Sequence, residues 1–540
     1  MSNITGSTPD FLKHSEAKGQ PKQAVPGMPA SASPATVPNP KADLASLDNL
    51  ERHLYAHRYA EIGMACYGAS IDPAAASDDR GEAQAIFAEE DQELLCSKAT
   101  GDLLERLGAP ETSELLDDMR KAQVRVLSRD RSHLLGVPAD EQGAFTRLTN
   151  EAADVWRKAK AANDWASFEP YLTRIIEAAR KLAGYRNPEA DPYDVWLDKF
   201  EQGSSRAFYD RFFGLVKEVV VPLLADVVKK GHQPSHRCVE GHFDAHRQWD
   251  LAQDLSRLVG IGSDTLFITH TEHPYSDALT THYGIIAAHV YEEDLMSNVF
   301  TMLHESGHVL YEQGVERSLD YTSLKGGTSI GMHEGQSRFF ENYIGRSEAF
   351  AKPLLAVLHH HFPGQFSRVT PRQLYLAANR VVPQPIRTEA DELTYPLHIL
   401  VRYEIEGLLM SGEASASDVP ALWADRYKNY LGIRVSDAAH GALQDTHWAN
   451  GLIGYFPTYA LGGAYGAQLR HAMIAGGMDW DTILSSGDLG PVRQWLKKRV
   501  WRFGRSKDPA DIIAEATGEP LQTRYYTDYL IEKFTTIYDL

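Results

Sequence analysis

The chain has 540 residues, of which 43% are hydrophobic and 24% are charged, a composition typical of a globular protein with a large core. Its formal net charge of −19 predicts an acidic surface that repels phosphates, which argues against nucleic-acid and anionic-membrane partners. Its three cysteines are widely spaced and form no CxxC pair, which argues against a disulfide scaffold and against a cysteine-based zinc site.

Residues 1–44 differ from the rest of the chain. They are rich in Pro, Ala and Ser and poor in large apolar residues, so they cannot bury enough surface to offset their chain entropy. We interpret them as a disordered extension; a transit peptide is the alternative, but the segment lacks Arg-rich amphipathic character. It has no apolar core of signal-peptide length, and no run of 18 apolar residues follows, so the sequence predicts a cytoplasmic protein without a membrane span.

Residues 45–540 are predicted to form one mainly α-helical domain. Apolar residues recur at helical spacing in residues 113–127, 170–185 and 397–410. Period-2 alternation is scarce, and the candidate strands are residues 265–271 and 282–291. The expected fold class is therefore mainly α, a large helical single body with a small β element.

The segment VFTMLHESGHVLYEQG contains an HExxH motif, in which Glu305 follows His304 and precedes His308. Histidines four positions apart share one helix face, so both imidazoles can bind one ion. Glu305 then lies beside the open coordination position, where it is expected to act as general base for the attacking water. Apolar residues on both sides of the motif predict a helix buried beneath a cleft. The alternative is a polar helix face that binds no metal.

A catalytic zinc needs three protein ligands and one open position. In HExxH peptidases that use a glutamate, this ligand comes from a second helix a few tens of residues downstream, and Glu334 follows His308 by 26 positions. His333 is the alternative ligand, but adjacent helix positions point about 100° apart, so only one of the two is expected to bind. Glu341, seven positions further on the same face, is placed to accept an N–H from a ligating imidazole.

Four segments in chain order resemble the signature blocks of the carboxypeptidase Taq family of metallocarboxypeptidases: LHESGHVLYEQG, HEGQSRFFENY, IRTEADELTYPLHI and LQDTHWANGLIGYFPTYALG. Weaker similarity begins earlier, so that the resemblance covers roughly residues 45–540. It implies a helical fold with a deep substrate groove and the HExxH helix at the groove floor. It also implies a homodimer, a divalent metal (zinc, with cobalt able to substitute), and removal of single C-terminal residues from peptides with broad specificity. The metal ligands of the family correspond to His304, His308 and Glu334, and its catalytic glutamate corresponds to Glu305.

One block departs from the family. The family has His-Pro-Phe followed, after a spacer, by Asp-x-Arg-x-Thr, whereas this chain has HPYSDALTTHYG, which starts at His273 and contains no arginine at the expected place. This block is associated with how the peptide end sits in the groove. The change leaves the preferred substrate length open but does not affect the metal ligands.

A carboxypeptidase has to recognise a terminal carboxylate, and arginine does so through paired hydrogen bonds. Arg387, in PIRTEADELTY, matches the arginine block of the family. The alternative is a structural salt bridge to Glu389, Asp391 or Glu392, which are close in sequence.

The glycine-rich segment DTHWANGLIGYFPTYALGGAYG carries His447, Tyr455 and Tyr459. Such a loop can bend over a cleft and aim hydroxyl or imidazole donors at a developing oxyanion, so these residues are predicted to contact the substrate. Aromatic packing at a glycine-rich bend is the alternative.

The function predicted from the sequence is thus that of a zinc-dependent metallocarboxypeptidase acting on peptides. Among enzymes, the alternative is an oligopeptidase that cuts internally or releases dipeptides. Outside enzymes, the alternative is an inactive peptide-binding scaffold. The presence of Glu305 argues against a scaffold, because a binding module needs no general base beside a metal.

Overall fold

The structure, a computed structural model, describes residues 40–70, 77–271 and 274–540. The predicted extension lies outside the described residues up to residue 39. Residues 40–44, which the sequence analysis assigned to the extension, instead open a helix, where Asp43 pairs with Arg106 at 2.8 Å and Leu44 packs on a small apolar cluster. Within the described residues, α-helix is thus present from Pro40 onward, inside the segment that was assigned to the extension.

The helices that precede the sheet are α1 (Pro40–Ser70), α2 (Ser77–Cys96), α3 (Lys98–Gly108), α4 (Pro110–Ser113), α5 (Asp118–Leu134), α6 (Ala139–Ala162), α7 (Trp165–Arg186), α8 (Pro192–Phe200), α9 (Arg206–Lys229) and α10 (Ala245–Val259). Helix α7 confirms the periodicity read in residues 170–185, since its apolar face at Leu172 and Ile175 is fully buried. The single helix expected over residues 113–127 is wrong in part. Asp117 accepts a hydrogen bond from the backbone N–H of Arg120 and caps a new helix there.

A three-stranded sheet follows, formed by β1 (Leu266–His270), β2 (Tyr275–Thr280) and β3 (Tyr283–Ala288). The strand order is β1-β3-β2, with β3 parallel to β1 and antiparallel to β2. Strands β1 and β3 confirm the two candidate strands, whereas β2 was not predicted. The central strand β3 is buried along most of its length and, with β2, packs against the next helix.

That next helix, α11 (Leu295–Gly314), carries the HExxH motif, and α12 (Ile330–Arg338) carries Glu334. Side-chain caps define both N-termini, since Asp294 accepts from Ser297 N and Ser329 accepts from Met332 N. Helix α12 continues into a π-helical segment, Phe339–Gly345.

The remaining α-helices are α13 (Ala351–His361), α14 (Pro363–Phe366), α15 (Pro371–Ala378), α16 (Tyr395–Ser411), α17 (Val419–Arg426), α18 (Pro457–Ala475), α19 (Trp480–Ser486), α20 (Gly490–Arg499), α21 (Pro509–Thr517) and α22 (Thr523–Tyr538). A second π-helical segment spans Tyr427–Leu431, and short 3₁₀ segments span Arg237–Val239, Arg317–Leu319, Arg387–Glu389, Ala416–Asp418 and Trp501–Ser506. Helix α16 confirms the helix predicted for residues 397–410.

The predicted fold class, mainly α with a small β element, is confirmed. Residues 40–540 form one compact unit whose main apolar core runs from α6 to α22. None of the helices in residues 40–70, 77–271 and 274–540 combines the length and the apolar character that a membrane span needs. The three cysteines, Cys66, Cys96 and Cys238, form no disulfide.

Candidate active site and metal centre

Two glycines let the helices of the motif approach each other closely. A Cβ atom at Gly307 would lie 2.5 Å from the carbonyl oxygen of Gln336, so the backbones of α11 and α12 touch at this crossing. From α18, a Cβ atom at Gly462 would lie 2.6 Å from Cγ of Glu334. These close approaches fix Glu334 between α11 and α18.

The imidazoles of His304 and His308 face the carboxylate of Glu334. Glu334 Oε2 lies 3.7 Å from Nε2 of each histidine, and the three ligand atoms lie within 4.8 Å of one another. Donors bound to one tetrahedral zinc are roughly 3.3 Å apart. Two imidazoles and one carboxylate are also a donor set of catalytic zinc sites, so these residues fit the metal that the sequence implies.

The two histidines differ in their electrostatic surroundings. Burial, together with the neighbouring His333 and His304, holds the pKa of His308 well below its usual value. Burial also opposes protonation of His304, but Glu334 and Glu341 outweigh it and raise the pKa of that imidazole. His308 is therefore neutral, the form that binds a metal.

His304 is held by a direct contact with Glu341. Its Nδ1 atom lies 2.9 Å from Glu341 Oε2, which leaves Nε2 to face Glu334. Burial alone would raise the pKa of Glu341, but Arg338, His304 and Arg346 hold it well below its usual value. The charged carboxylate therefore accepts the N–H of His304, the contact that the sequence analysis placed there.

His308 is held through a second histidine. Its Nδ1 atom lies 2.7 Å from Nδ1 of His333, and Nε2 of His333 lies 2.9 Å from Glu312 Oε1. The pKa of Glu312 is lowered to about 2, because His333 and the Gly327 N–H outweigh the effect of burial. A charged Glu312 can only accept a hydrogen bond, so Nε2–H of His333 donates to it and Nδ1 of His333 accepts from Nδ1–H of His308. The alternative ligand His333 thus lies behind His308 and orients it.

Arg338 fixes the other oxygen of Glu334, the third candidate ligand. Its Nε atom donates to Glu334 Oε1 at 2.8 Å, and its Nη1 atom donates to Glu341 Oε2 at 2.9 Å. The Arg338 guanidinium also lies over the ring of Tyr395, 4.1 Å from its centroid. With Oε1 occupied by Arg338, Glu334 presents Oε2 alone to the two histidines.

Glu305 is buried beside the two histidines and contacts strand β2. Ser276 donates a hydrogen bond to Glu305 Oε2 at 2.5 Å. Burial raises the pKa of Glu305, and His304 and the Ser276 hydroxyl moderate that increase. Ser276 belongs to the block in which the sequence departs from the family, whereas His273 of that block lies outside the described residues.

Arg387 is buried and contacts Asp445. Its Nε and Nη2 atoms donate to Asp445 Oδ1 at 3.0 and 2.9 Å, and Nη1 donates to Tyr395 Oη at 3.2 Å. Arg402 donates to the second oxygen of the same carboxylate at 2.7 Å. The salt-bridge partner is thus Asp445, and none of the three acidic residues considered in the sequence analysis bonds Arg387.

His447, Tyr455 and Tyr459 lie together beside Arg387. His447 Nε2 lies 3.2 Å from Tyr459 Oη, and the Arg387 guanidinium lies 5.0 Å from the Tyr459 ring centroid. Burial and the positive charges of Arg387 and Arg402 lower the pKa of His447 to about 3, so this imidazole is neutral. Burial and the negative charge of Glu334 raise the pKa of Tyr455 to about 12.

A sequence model of the carboxypeptidase Taq (M32) metallopeptidase family matches residues 68–534. This chain belongs to the M32 family. It is therefore a member of a family of metal-dependent hydrolases, which confirms the resemblance and the enzyme class predicted from the sequence.

Named members of the M32 family align over most of this chain. Carboxypeptidase 1 of Bacillus subtilis (strain 168) is 37% identical over 425 residues, which cover 79% of this chain and 85% of the relative. Thermostable carboxypeptidase 1 of Pyrococcus furiosus is 33% identical over 463 residues, which cover 84% of this chain and 91% of the relative. The crystal structure of an M32 carboxypeptidase from Deinococcus radiodurans R1 matches with a TM-score of 0.89 at 30% identity, covering 92% of this chain and 100% of that one.

Sequence reasoning did not assign roles to Ser276, Glu312 and Arg338 in this M32 enzyme. Two of them could have been found from their spacing in the sequence, since Glu312 follows His308 by four positions and Arg338 follows Glu334 by four. That spacing puts each pair on one helix face. No spacing in the sequence relates Ser276 to Glu305, because the two residues come into contact only when β2 pairs in the sheet and packs on α11.

The described part of the M32 chain holds one further group that could bind a metal. Asp254, His360 and His361 also place ligand atoms within 4.8 Å of one another. His360 is exposed, and His361 Nε2 is already 2.7 Å from Asp254 Oδ2. No HExxH glutamate accompanies this group, so it does not compete as the catalytic centre.

Proposed function

We propose that this M32 enzyme is a zinc-dependent carboxypeptidase that hydrolyses the C-terminal peptide bond of peptides with broad specificity. The observation that carries the proposal is the group formed by half-buried His304 and His308 and buried Glu334, with buried Glu305 next to His304 on the same helix. In this proposal the three residues hold the metal and Glu305 is the catalytic base.

A zinc ion at these ligands supplies Lewis-acid chemistry, which activates water and polarises the scissile carbonyl. Glu305 takes a proton from the attacking water and then delivers it to the leaving amine. The Ser276 hydroxyl orients the Glu305 carboxylate for both transfers. No covalent intermediate is required.

Hydrogen-bond donors for the developing oxyanion come from the segment before α18. Tyr455 keeps its proton near neutral pH because its pKa is about 12. His447 is neutral, and its Nδ1 atom has no hydrogen-bonding partner within the described residues. When Tyr459 donates to His447 Nε2, the proton of His447 sits on Nδ1, which is buried and donates to no acceptor among the described residues.

The charge balance around Asp445 supports recognition of a substrate carboxylate. Two buried guanidinium groups, Arg387 and Arg402, share this one carboxylate, so the cluster carries one uncompensated positive charge. A buried charge is costly unless it is paired. A terminal carboxylate bound by Arg387 would supply the missing negative charge, which explains why a salt bridge and a substrate role are compatible.

The experiment compares peptides that differ only at the C-terminus, a free acid and an amide. Native enzyme should strongly prefer the acid, and Arg387→Ala should lower kcat/KM for the acid by about 10–100-fold while leaving the amide little affected. The exposed Arg434→Ala is the matched control and should behave as native protein does. A purely structural Arg387 would instead reduce the melting temperature and leave the acid-to-amide ratio unchanged.

An oligopeptidase is the other outcome that this experiment can show. Strand β2, which lies in the departing block, and β3, which follows it, contain no arginine in the sequences YSDALT and YGIIAA. If native enzyme cleaves amidated peptides as readily as free acids, internal or dipeptidyl cleavage replaces the carboxypeptidase proposal. If native enzyme cleaves neither peptide, the hypothesis of an inactive peptide-binding scaffold is favoured.

We also propose that the enzyme is a homodimer, that cobalt can replace zinc, and that it acts in the cytoplasm. These three points rest on the family resemblance and on the sequence.

A further inference from the structure

A cavity of about 440 Å³ lies at the end of α18 that is remote from Tyr455. It is lined by α19, α22 and the π-helical segment Phe339–Gly345, and the rings of Tyr343, Trp480 and Tyr529 form part of its walls. Small-molecule sites typically measure 300–1,000 Å³ and combine apolar walls with a few polar groups. The size and the aromatic lining therefore suit an amino acid or a molecule of similar size.

Arg470 projects into this cavity from the end of α18. Its guanidinium lies 5.8 Å from the ring centroid of Trp480 and 5.5 Å from that of Tyr529. Within the described part of the chain, Arg470 makes no hydrogen bond or ion pair. A planar guanidinium with all its donors available is the group that best binds a carboxylate.

The second cation of the cavity is already neutralised. Lys533 Nζ lies 2.5 Å from Glu392 Oε2 and donates to Tyr529 Oη at 3.0 Å, and Tyr529 in turn donates to Glu392 at 2.8 Å. Burial lowers the pKa of Lys533 to about 8, and the charge of Arg470 contributes. Because Glu392 balances Lys533, the inner wall keeps one uncompensated positive charge, that of Arg470.

The mouth of the cavity has the opposite charge. Asp481, in the first turn of α19, and Glu532, on α22, are both exposed and line the opening. Neither carboxylate forms an ion pair within the residues that the structure describes. A third carboxylate, Glu348, is bound by Arg372 at 2.9 Å. The site thus offers one cation inside and two available anions outside.

We propose that this cavity binds a free α-amino acid with an apolar or aromatic side chain. The carboxylate of the ligand pairs with Arg470, its ammonium group lies between Asp481 and Glu532, and its side chain packs on Tyr343, Trp480 and Tyr529. Free amino acids are what a carboxypeptidase releases. The source of the ligand rests on the proposed function, whereas the binding site itself does not.

The first test uses native metal-loaded enzyme and three probes in calorimetric titrations: L-phenylalanine, its C-terminal amide, and 3-phenylpropanoate, which lacks the ammonium group. L-Phenylalanine should bind, and loss of either charged group should weaken binding about 10-fold or more, because each removes charge-assisted hydrogen bonds. Equal affinity for L-phenylalanine and its amide, or no binding of L-phenylalanine at millimolar concentration, would overturn the proposal.

The second test separates this cavity from the proposed carboxylate site at Arg387. Arg470→Gln should weaken L-phenylalanine binding at least 10-fold, while Arg524→Gln, a change at an exposed arginine of α22 that contacts Glu519, should not. Asp481→Asn should weaken binding of L-phenylalanine but not of 3-phenylpropanoate. If Arg387→Ala abolishes all binding and Arg470→Gln changes none, the ligand binds only at the Arg387 site and the proposal fails. An enzyme that binds L-phenylalanine through Arg470 yet cleaves no peptide would refute the proposed function and leave this site in place.

Discussion

His304 and His308 are held in different ways, although they lie four residues apart on one helix. A charged carboxylate contacts His304 directly, whereas the carboxylate that orients His308 acts through the intervening ring of His333. Contacts of this kind set the tautomer and the direction of a ligating imidazole. Both arrangements leave Nε2 of the histidine available to an ion shared with Glu334.

We predict that His333→Ala weakens zinc binding by about 10–100-fold, because His308 loses the acceptor that orients it. Zinc affinity can be measured by competition with a chelator. The exposed His359→Ala serves as the control and should bind zinc as native protein does. An unchanged zinc affinity in His333→Ala would show that the His308–His333 contact has no role in metal binding.

At the scale of single residues, the sequence predicted which residues of one helix share a face. It did not predict contacts that depend on tertiary packing. His304 and His308 were proposed as ligands because helix spacing puts them on one face, and Glu334 because a downstream glutamate is the third ligand in one group of HExxH peptidases. The partner of Arg387 was not, since Asp445 lies 58 positions further along the chain and only the packing of α16 and the segment before α18 joins them. The nearby acidic residues were the obvious candidates, but Glu392 is bound by Lys533 instead.

At the scale of secondary structure, long periodic helices were predictable and short or irregular elements were not. Helices α7 and α16 show a repeated apolar face, and β1 and β3 are short apolar runs. Strand β2 was not predicted, because its burial pattern does not alternate and a bulge interrupts its pairing between Ala278 and Thr280. The π-helical turn after α12 also has no signature in composition.

The N-terminus of α12 is held by a buried carboxylate. Glu201 accepts from the backbone N–H of Gly331 at 3.0 Å and from Tyr465 Oη at 2.7 Å, which joins α12 to α18. Burial raises its pKa to about 7, although these donors oppose the increase. Between pH 4.5 and 7 the folded chain therefore holds a proton on Glu201 that the unfolded chain has lost.

This difference in proton binding makes the Glu201 contribution to stability greatest at low pH and removes it as the pH rises through 7. We predict that Glu201→Gln reduces the difference between the melting temperatures at pH 5 and pH 8, because glutamine does not titrate. The exposed Glu189→Gln is the control and should keep the native difference. An identical pH dependence in native protein and Glu201→Gln would contradict the assigned pKa.

At the scale of the whole molecule, the described chain is one body from Pro40 onward, and α1 and α3 share an apolar cluster that includes Leu47 and Leu107. The boundary between this body and the predicted extension therefore lies before Pro40. The sequence analysis placed this boundary after residue 44, because Pro40 resembles the proline-rich segment before it. Proline is nevertheless well tolerated in the first turn of a helix.

Two deletions test this boundary. Removing residues 1–39 should leave the melting temperature and turnover unchanged, as expected for a segment that contributes few contacts. Removing residues 1–44 should lower the melting temperature, because it also deletes Leu44 and the Asp43–Arg106 ion pair. A clear loss of stability on removing residues 1–39 alone would mean that the predicted extension packs on the body.

The central claim is that two buried glutamates near the same histidines have different tasks, Glu334 binding the metal and Glu305 moving the proton. The most direct test is to measure metal content and turnover together in Glu305→Gln and Glu334→Ala. Glu305→Gln should retain its zinc and lose about 10²–10⁴-fold in turnover, the usual contribution of acid–base catalysis. Glu334→Ala should lose both zinc and activity, because two histidines alone bind zinc weakly. Near-native turnover in Glu305→Gln, or full zinc occupancy in Glu334→Ala, would contradict the account.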